Sequence, residues 1–440
     1  MKLYMEWITL GLFCAGLLLC ISLDLSILIA LTFGLFLFLL YGKRKGFSWG
    51  ALLHMVLEGV KTVRNILVTF VLIGILTAVW RAAGTIPAIV CYASVLIRPS
   101  VFLLMTFLLN CGVSVLTGTS FGTAATMGVI CATMGAAMGV DAALTGGAML
   151  SGIYFGDRCS PVSTSALLVA ELTGTNLFDN IRRMIRSALV PFLLTCAMYG
   201  VGGLFSSRSA EPPDLRAVFG AEFSLHWLAL APAAVILLLS VFRVNVKLSM
   251  TASILTAIPL CIVMQKTEPS ALLRMSLFGF HAAHAEVGAM LDGGGIRSML
   301  RVGGIVCLSS SYSGIFRETG LLDGAKELVN RLAARTNAFL AMLVTAVLAG
   351  LVACNQTLTV MLTDQLCGDQ KKDASDHALN LEDTAVVTAP LVPWSIAGAV
   401  PLSAVGAPVS AILFACYLYL LPLWRLGRSF ILSNRTLKKG

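Results

Sequence analysis

Charge is what this chain has least of: only 12% of its 440 residues are Asp, Glu, Lys or Arg, and 22 residues are acidic. A soluble domain carries about 25% charged residues, so a water-exposed globular fold is excluded. CxxC pairs are absent too. The 12 cysteines stand singly in apolar segments, which argues against a disulfide frame or a zinc site and leaves them as small packing residues in a reduced setting. No GxxxxGK[ST] loop occurs, so nothing points to direct ATP-driven work by this chain. Nor does a distinct basic segment precede the first apolar run; that run and the next, after Asp24, are read as two retained helices and not as a cleaved leader.

What is present is apolar sequence, 58% of the chain. Uncharged runs at 65–80, 187–207, 248–265, 336–363 and 384–424 approach or exceed the roughly 17–25 residues of a membrane-spanning helix, and the last has room for two. The net charge of +9 would suggest a nucleic-acid partner in a soluble protein. Here the basic residues sit in short connections, so they set orientation instead, and no nucleic acid is expected. Lys43, Arg44, Lys45, Lys61 and Arg64 mark one cytoplasmic connection, and Arg182, Arg183 and Arg186 another. Arg425, Arg428, Arg435, Lys438 and Lys439 put the C-terminal tail inside. The segment from Arg208 to Glu222 mixes signs and reads as external, and Asp24 as an outer turn. A multi-pass protein of the cytoplasmic membrane, surrounded by lipid, follows.

Five regions are expected: an N-terminal helical hairpin and interfacial connector (1–64), a first transport half (65–207), an external loop with connecting helices (208–292), a second transport half (293–424) and a basic cytoplasmic tail (425–440). The connector, FSWGALLHMVLEGVKTVRN, is amphipathic, and its apolar face is expected on lipid. The two halves share an order of features. In the first, an apolar helix runs into TGTSFGTAAT (117–126) and later into GDRCSPVSTS (156–165); in the second, into ACNQTLTV (353–360) and later into LEDTAVVTAPLVPWS (381–395). Each half thus has a polar break, then an acid followed by hydroxyls and proline.

Glycine, proline and small hydroxyl residues let a spanning helix unwind, and the freed backbone is tolerated at membrane depth only where it lines protein or a water-filled cavity. Matching breaks in two halves point to a transport site near the midplane. For either break alone, close packing through small residues is an equally good reading; the matched pair favours a site. The fold class implied is an all-α integral membrane protein of roughly ten to twelve transmembrane helices, with two pseudo-symmetric, inverted halves containing broken helices.

Asp157 is the sharpest candidate, because an ionised carboxylate in a bilayer tends to face a cavity and mark an ion or proton pathway. Ser160, Ser163 and Thr164 offer oxygens beside it, and Pro161 removes a backbone donor. Hard cations favour such mixed oxygen environments. The alternative is an interfacial Asp157–Arg158 pair at a helix end with the arginine reaching water. Thr117, Thr119 and Ser120 in the first break, with Asn355 and Gln356 in the second, are further candidate ligands. Glu382 and Asp383 form the second acidic candidate, with Thr384 and Thr388 one turn apart behind them; the two acids also fit a capping role for a helix beginning near Thr384. Glu171 is left open between proton carrier and surface residue. His281 and His284, with Glu286, have a spacing other than that of HExxH, so a membrane metalloenzyme is a remote alternative. In CLSSSYSG (307–314), serines bonded back to their own helix are the default.

At these residues the sequence resembles the NhaC-type Na+/H+ antiporter family. The matching pieces are GTIP (84–87), TGTSFGTAAT, SGIYFGDRCSP with GTNLFDNIRRM (174–184) behind it, GIFRETGLL (314–322) and LEDTAVVTAPLVPW (381–394). The resemblance implies a secondary carrier, not an enzyme, needing no cofactor and no resident metal. It would exchange Na+ for H+ or couple a small organic acid or amino acid to one of them, as a monomer or a homo-oligomer. Asp157, Ser160, Ser163, Glu382, Asp383, Thr384 and Thr388 are the positions carried over. Two departures each remove a carboxylate and keep an oxygen: Thr164 stands where the family has an aspartate after SP-x-S, and Asn355-Gln356 where it reads Asp-Gln. A less acidic site suits an organic cargo.

Overall fold

The computed structural model describes residues 2–23, 25–94, 98–161, 163–206, 215–242, 244–321, 329, 331, 336–353, 355–368 and 373–437. Asp24, residues 208–214 of the expected external segment, and Lys438 and Lys439 lie outside them. The described residues are helical, with one isolated bridge between Phe280 and Gly293. Two long apolar runs pair as the expected hairpin, α1 (Lys2–Ser22) and α2 (Ile27–Arg44). The chain then passes through α3 (Trp49–Thr62), α4 (Arg64–Ala82) and α5 (Thr85–Ser94) to α6 (Phe102–Thr117). After the first break come α7 (Ser120–Thr123), a π turn at Ala124–Gly128 and α8 (Val129–Ala137). The first half ends with α9 (Ala142–Cys159), α10 (Thr164–Thr173) and α11 (Leu177–Ser206).

Five connecting helices follow: α12 (Leu215–Gly220), α13 (Ala231–Val241), α14 (Val246–Val263), α15 (Pro269–Phe278) and α16 (Ala285–Leu291). The second half holds α17 (Gly295–Thr319), α18 (Ala338–Ala353), α19 (Gln356–Cys367), α20 (Ala374–Asp383), the single turn α21 (Ala385–Thr388), α22 (Ile396–Val405) and α23 (Cys416–Leu437). Among the described residues, five helices are long and apolar enough to cross a membrane alone, and two bent pairs do so together, α3 with α4 at 45° and the α20–α21 segment with α22 at 52°. Shorter apolar helices, α10 and α18 among them, stand beside these. Exposed Leu189, Leu193, Val201 and Leu204 along α11 would be a liability in water and are the natural covering of a helix in lipid.

Helix α6 packs along α9, and the reason is written in GIYFG: Gly152 and Gly156 stand one turn apart on the same face. A Cβ at Gly152 would lie 2.8 Å from that of Asn110, and one at Gly156 would lie 2.7 Å from the backbone nitrogen of Val115. Small residues at this spacing let two backbones approach closely. Ser114 on α6 closes the contact by donating to the carbonyl of Ile153 (2.6 Å).

Two expectations change. The apolar residues of α3 do not all turn to lipid: Leu52 and Met55 are buried with Phe38, Tyr312 and Ile315, while Trp49, Leu53 and Leu57 are exposed. With two apolar faces, α3 leans on α17 and meets the bilayer at once. The tail is not separate either, because α23 continues through Arg425 to Leu437. In α17, Ser309 and Ser311 bond back to the carbonyls of Val306 and Leu308, as expected of serines in a spanning helix.

Candidate transport site

The two polar breaks are built alike. Helix α6 ends where Gly118 takes a left-handed φ of 61°, which costs a residue without Cβ nothing. Thr119 then adopts an extended backbone, and its hydroxyl accepts from the amide of Gly122 (3.1 Å) to start α7. Across the molecule α18 ends at Ala353, Asn355 is extended, and its side-chain oxygen accepts from the amide of Leu358 (2.8 Å) to start α19. In each break a polar residue does the work of an N-cap, satisfying an amide the helix start leaves unbonded.

The breaks meet at one cavity of about 440 Å³. Thr119 and Ser120 line it from the first break, Asn355 and Gln356 from the second, and Asp157 and Thr164 from the acidic segment between α9 and α10. Tyr154, Lys247 and Ala397 line it too, as do Val63, Ile66 and Thr69 at the start of α4. Asp157 is 3% exposed, and its two oxygens are held separately: Ser163 donates to Oδ1 (3.0 Å) and Ser165 to Oδ2 (3.1 Å). Ser163 also caps α10, accepting from the amides of Ser165 and Ala166. The hydroxyls thus do two jobs, starting a helix and fixing the carboxylate at the lip of the cavity. The side-chain amide of Gln356 lines the cavity with Asp157 but donates to the carbonyl of Val386 (3.1 Å), within its own half.

Other candidates are spent elsewhere. Ser160 donates to the carbonyl of Val115 (2.7 Å), Thr384 to that of Asn380 (2.7 Å), and Thr117 pairs with Thr123 (3.0 Å). Thr388 is buried away from the cavity. Glu171 is exposed on α10. His281 and His284 do not share a ligand site: the first meets Asp292 (3.2 Å) and the second Glu222 (3.3 Å).

Glu382 and Asp383 do not line the cavity, and neither caps a following helix. They close α20, at the end where the helix dipole disfavours negative charge. Asp383 is tolerated there because two arginines hold it. Arg158 pairs with its Oδ1, and Arg425 lies 2.7 Å from its Oδ2. Arg158 is fully buried, so the reading of an arginine reaching for water from an interfacial pair fails. It also donates to Ser187 (2.9 Å), the carbonyl of Met184 (3.3 Å) and Tyr417 (3.3 Å). One buried ion cluster therefore fastens α9, α11, α20 and α23 together. Sequence reasoning missed it, along with Tyr154 and Lys247. A signal existed: an arginine deep in an apolar helix needs a carboxylate, because an unpaired buried charge is strongly destabilising.

A second cavity, about 350 Å³, is lined by Arg81, Thr145, Met149, Asp292, Ser403 and Val405 among others. The two cavities touch the same pair of helices at different heights. On α9 one reaches Met149 and the other Tyr154; on α22 one reaches Ser403 and the other Ala397. Five residues of helix rise only about 7.5 Å. Between the cavities α9 and α22 form a wall, tied by a hydrogen bond from the Tyr154 hydroxyl to the carbonyl of Ala397 (2.6 Å).

A sequence model described as the Na+/H+ antiporter family matches residues 152–425, a span that holds both acidic segments and the second polar break. Among curated proteins the chain is 28% identical over 402 residues to the malate-2H+/Na+-lactate antiporter of Bacillus subtilis, covering 88% of this chain and 86% of that protein. It is 28% identical over 394 residues to the Na+/H+ antiporter NhaC of Alkalihalophilus pseudofirmus, covering 87% and 85%. It is 26% identical over 379 residues to the arginine/ornithine antiporter ArcD of Halobacterium salinarum, covering 83% and 78%.

Proposed function

From the premise that the chain belongs to the Na+/H+ antiporter family and is a multi-pass membrane antiporter, we propose that its cargo binds in the cavity at Asp157 and that Na+ leaves in exchange for H+. The observation that carries this reading is the convergence of both polar breaks on one buried carboxylate. Asp157, Thr119, Ser120, Thr164, Asn355 and Gln356 are the proposed ligands. Their carboxylate, hydroxyl and amide oxygens match what a hard monovalent cation accepts. Residues 65–207 and 293–424 act as the two halves that close alternately over the site, in the manner of secondary carriers whose sites lie between repeats. The wall at Tyr154 and Ala397 is the barrier that shifts. The basic connections support a location in the cytoplasmic membrane with the C-terminus inside. Each chain carries a complete cavity, whether or not copies associate.

One observation favours a second reading, with a small carboxylate or amino acid as cargo. A cavity of about 440 Å³ exceeds what a lone cation fills, and Lys247 faces the same space as Asp157, so both ends of a zwitterion would find a partner. Everted membrane vesicles with an imposed pH gradient separate the two. Collapse of the gradient on adding Na+, lost in Asp157→Asn, supports cation exchange. A gradient that answers only to an amino acid or a carboxylate supports the second reading, and a wild-type response to Na+ that survives Asp157→Asn overturns the assignment of the site.

A further inference from the structure

Glu382 stands beside the ion cluster without belonging to it. It is fully buried, and among the described residues neither of its carboxyl oxygens has a hydrogen-bond partner. The arginine nearest to hand, Arg158, is already committed to Asp383, Ser187, Met184 and Tyr417, and Arg425 is committed to Asp383 and Asn380. A bare carboxylate so placed costs far more than the neutral acid, which needs no counter-charge. A fold that only needed to fill this space would hold an apolar residue there.

We propose that Glu382 is the proton-carrying group of the exchange, separate from the cation site at Asp157, and that the neighbouring Asp383 is a structural anchor. The inference rests on the antiporter reading above. The charges that act on Glu382 are those of Arg158 and Asp157 on α9 and of Asp383 on its own helix. Two bare carboxylates in one buried neighbourhood repel each other. Either a proton on Glu382 or a cation at Asp157 relieves that repulsion, so the two ligands exclude one another without sharing a binding site. The chemical step is balanced and simple: an O–H bond of Glu382 forms with a proton from water on one side of the membrane and breaks to water on the other, while Na+ moves the opposite way.

The test uses the full chain in proteoliposomes and two assays on each variant: Na+ uptake driven by a pH gradient, and exchange of radioactive Na+ for unlabelled Na+ without one. In Glu382→Gln, whose neutral amide mimics the protonated acid, the gradient-driven uptake falls by roughly tenfold or more, the usual scale for losing a positioned proton-transfer group, while sodium self-exchange persists at saturating Na+ with a higher half-saturating concentration. Glu382→Asp keeps part of the coupling. The proposal is overturned if Glu382→Gln retains gradient-driven uptake, and equally if it loses both activities together, because the residue then serves the cation site or the fold. A wild-type protein that shows neither activity would fail the antiporter reading itself, which separates the two questions.

Discussion

The segments GDRCSPVSTS and LEDTAVVTAP both place acid at the closing end of a helix and follow it with hydroxyls and proline, yet their carboxylates meet different partners. Asp157 is held by two serine hydroxyls and opens on a cavity. Asp383 is held by two arginines and opens on nothing. A hydroxyl partner leaves the carboxylate its charge and leaves room for a cation to add; an arginine has already added it. Like ingredients therefore give a binding site in one half and a fastening in the other.

Substitutions can sharpen that contrast. The largest difference is expected between Asp157→Asn and Asp383→Asn. The first keeps the serine hydrogen bonds available to an isosteric amide, so the protein folds and melts near wild type in detergent while exchange is lost. The second leaves Arg158 and Arg425 facing no anion. Breaking a buried pair from one side costs about 3–5 kcal/mol, so Asp383→Asn should show a sharp drop in thermal stability and yield. Equal melting of the two variants would erase the distinction.

Next in size is Gly152→Ala. Its new Cβ meets Asn110 and the backbone of α6, an overpacking worth about 1–3 kcal/mol. Thermal unfolding should register it, and a neutral result would mean the α6–α9 seam is looser than the geometry says. The smallest effect compares the two polar breaks. Thr119→Ala and Asn355→Ala each remove one N-cap bond, costing about 1 kcal/mol. Similar losses of stability, with a shared fall in cation affinity, are expected if the breaks are equivalent walls of one cavity. A change in affinity for only one of them would make the cavity one-sided.

The parts legible in the sequence are those fixed by neighbours in the chain. Thr119 and Asn355 can be read because a cap needs only the next three residues, and the acid–hydroxyl run at 157–165 because Ser163 and Ser165 reach back to Asp157 within one turn of chain reversal. What could not be read is long-range: Arg158 finds its acid 225 residues away. Arg425 looked like the first charge of a tail because nothing local shows that a helix carries it back beside Asp383. Glu382 and Asp383 are adjacent and looked equivalent, and only the packing of α9, α20 and α23 sorts one from the other. Lys247 lies in a connecting helix whose own sequence gives no hint of what it faces.

The thin wall between the two cavities has an electrical meaning. If the two cavities open to opposite sides, as alternating access requires, water would carry each bulk potential inward to the cavity floors, and the membrane voltage would fall mainly across the layer near Tyr154 and Ala397. A single charge moved through the full field gains or loses about 2.3 kcal/mol per 100 mV, and most of that would then be felt over the roughly 7.5 Å of helix between the cavities. Turnover of such a carrier answers to voltage whenever the charges it exchanges do not cancel, although no helix has to travel far.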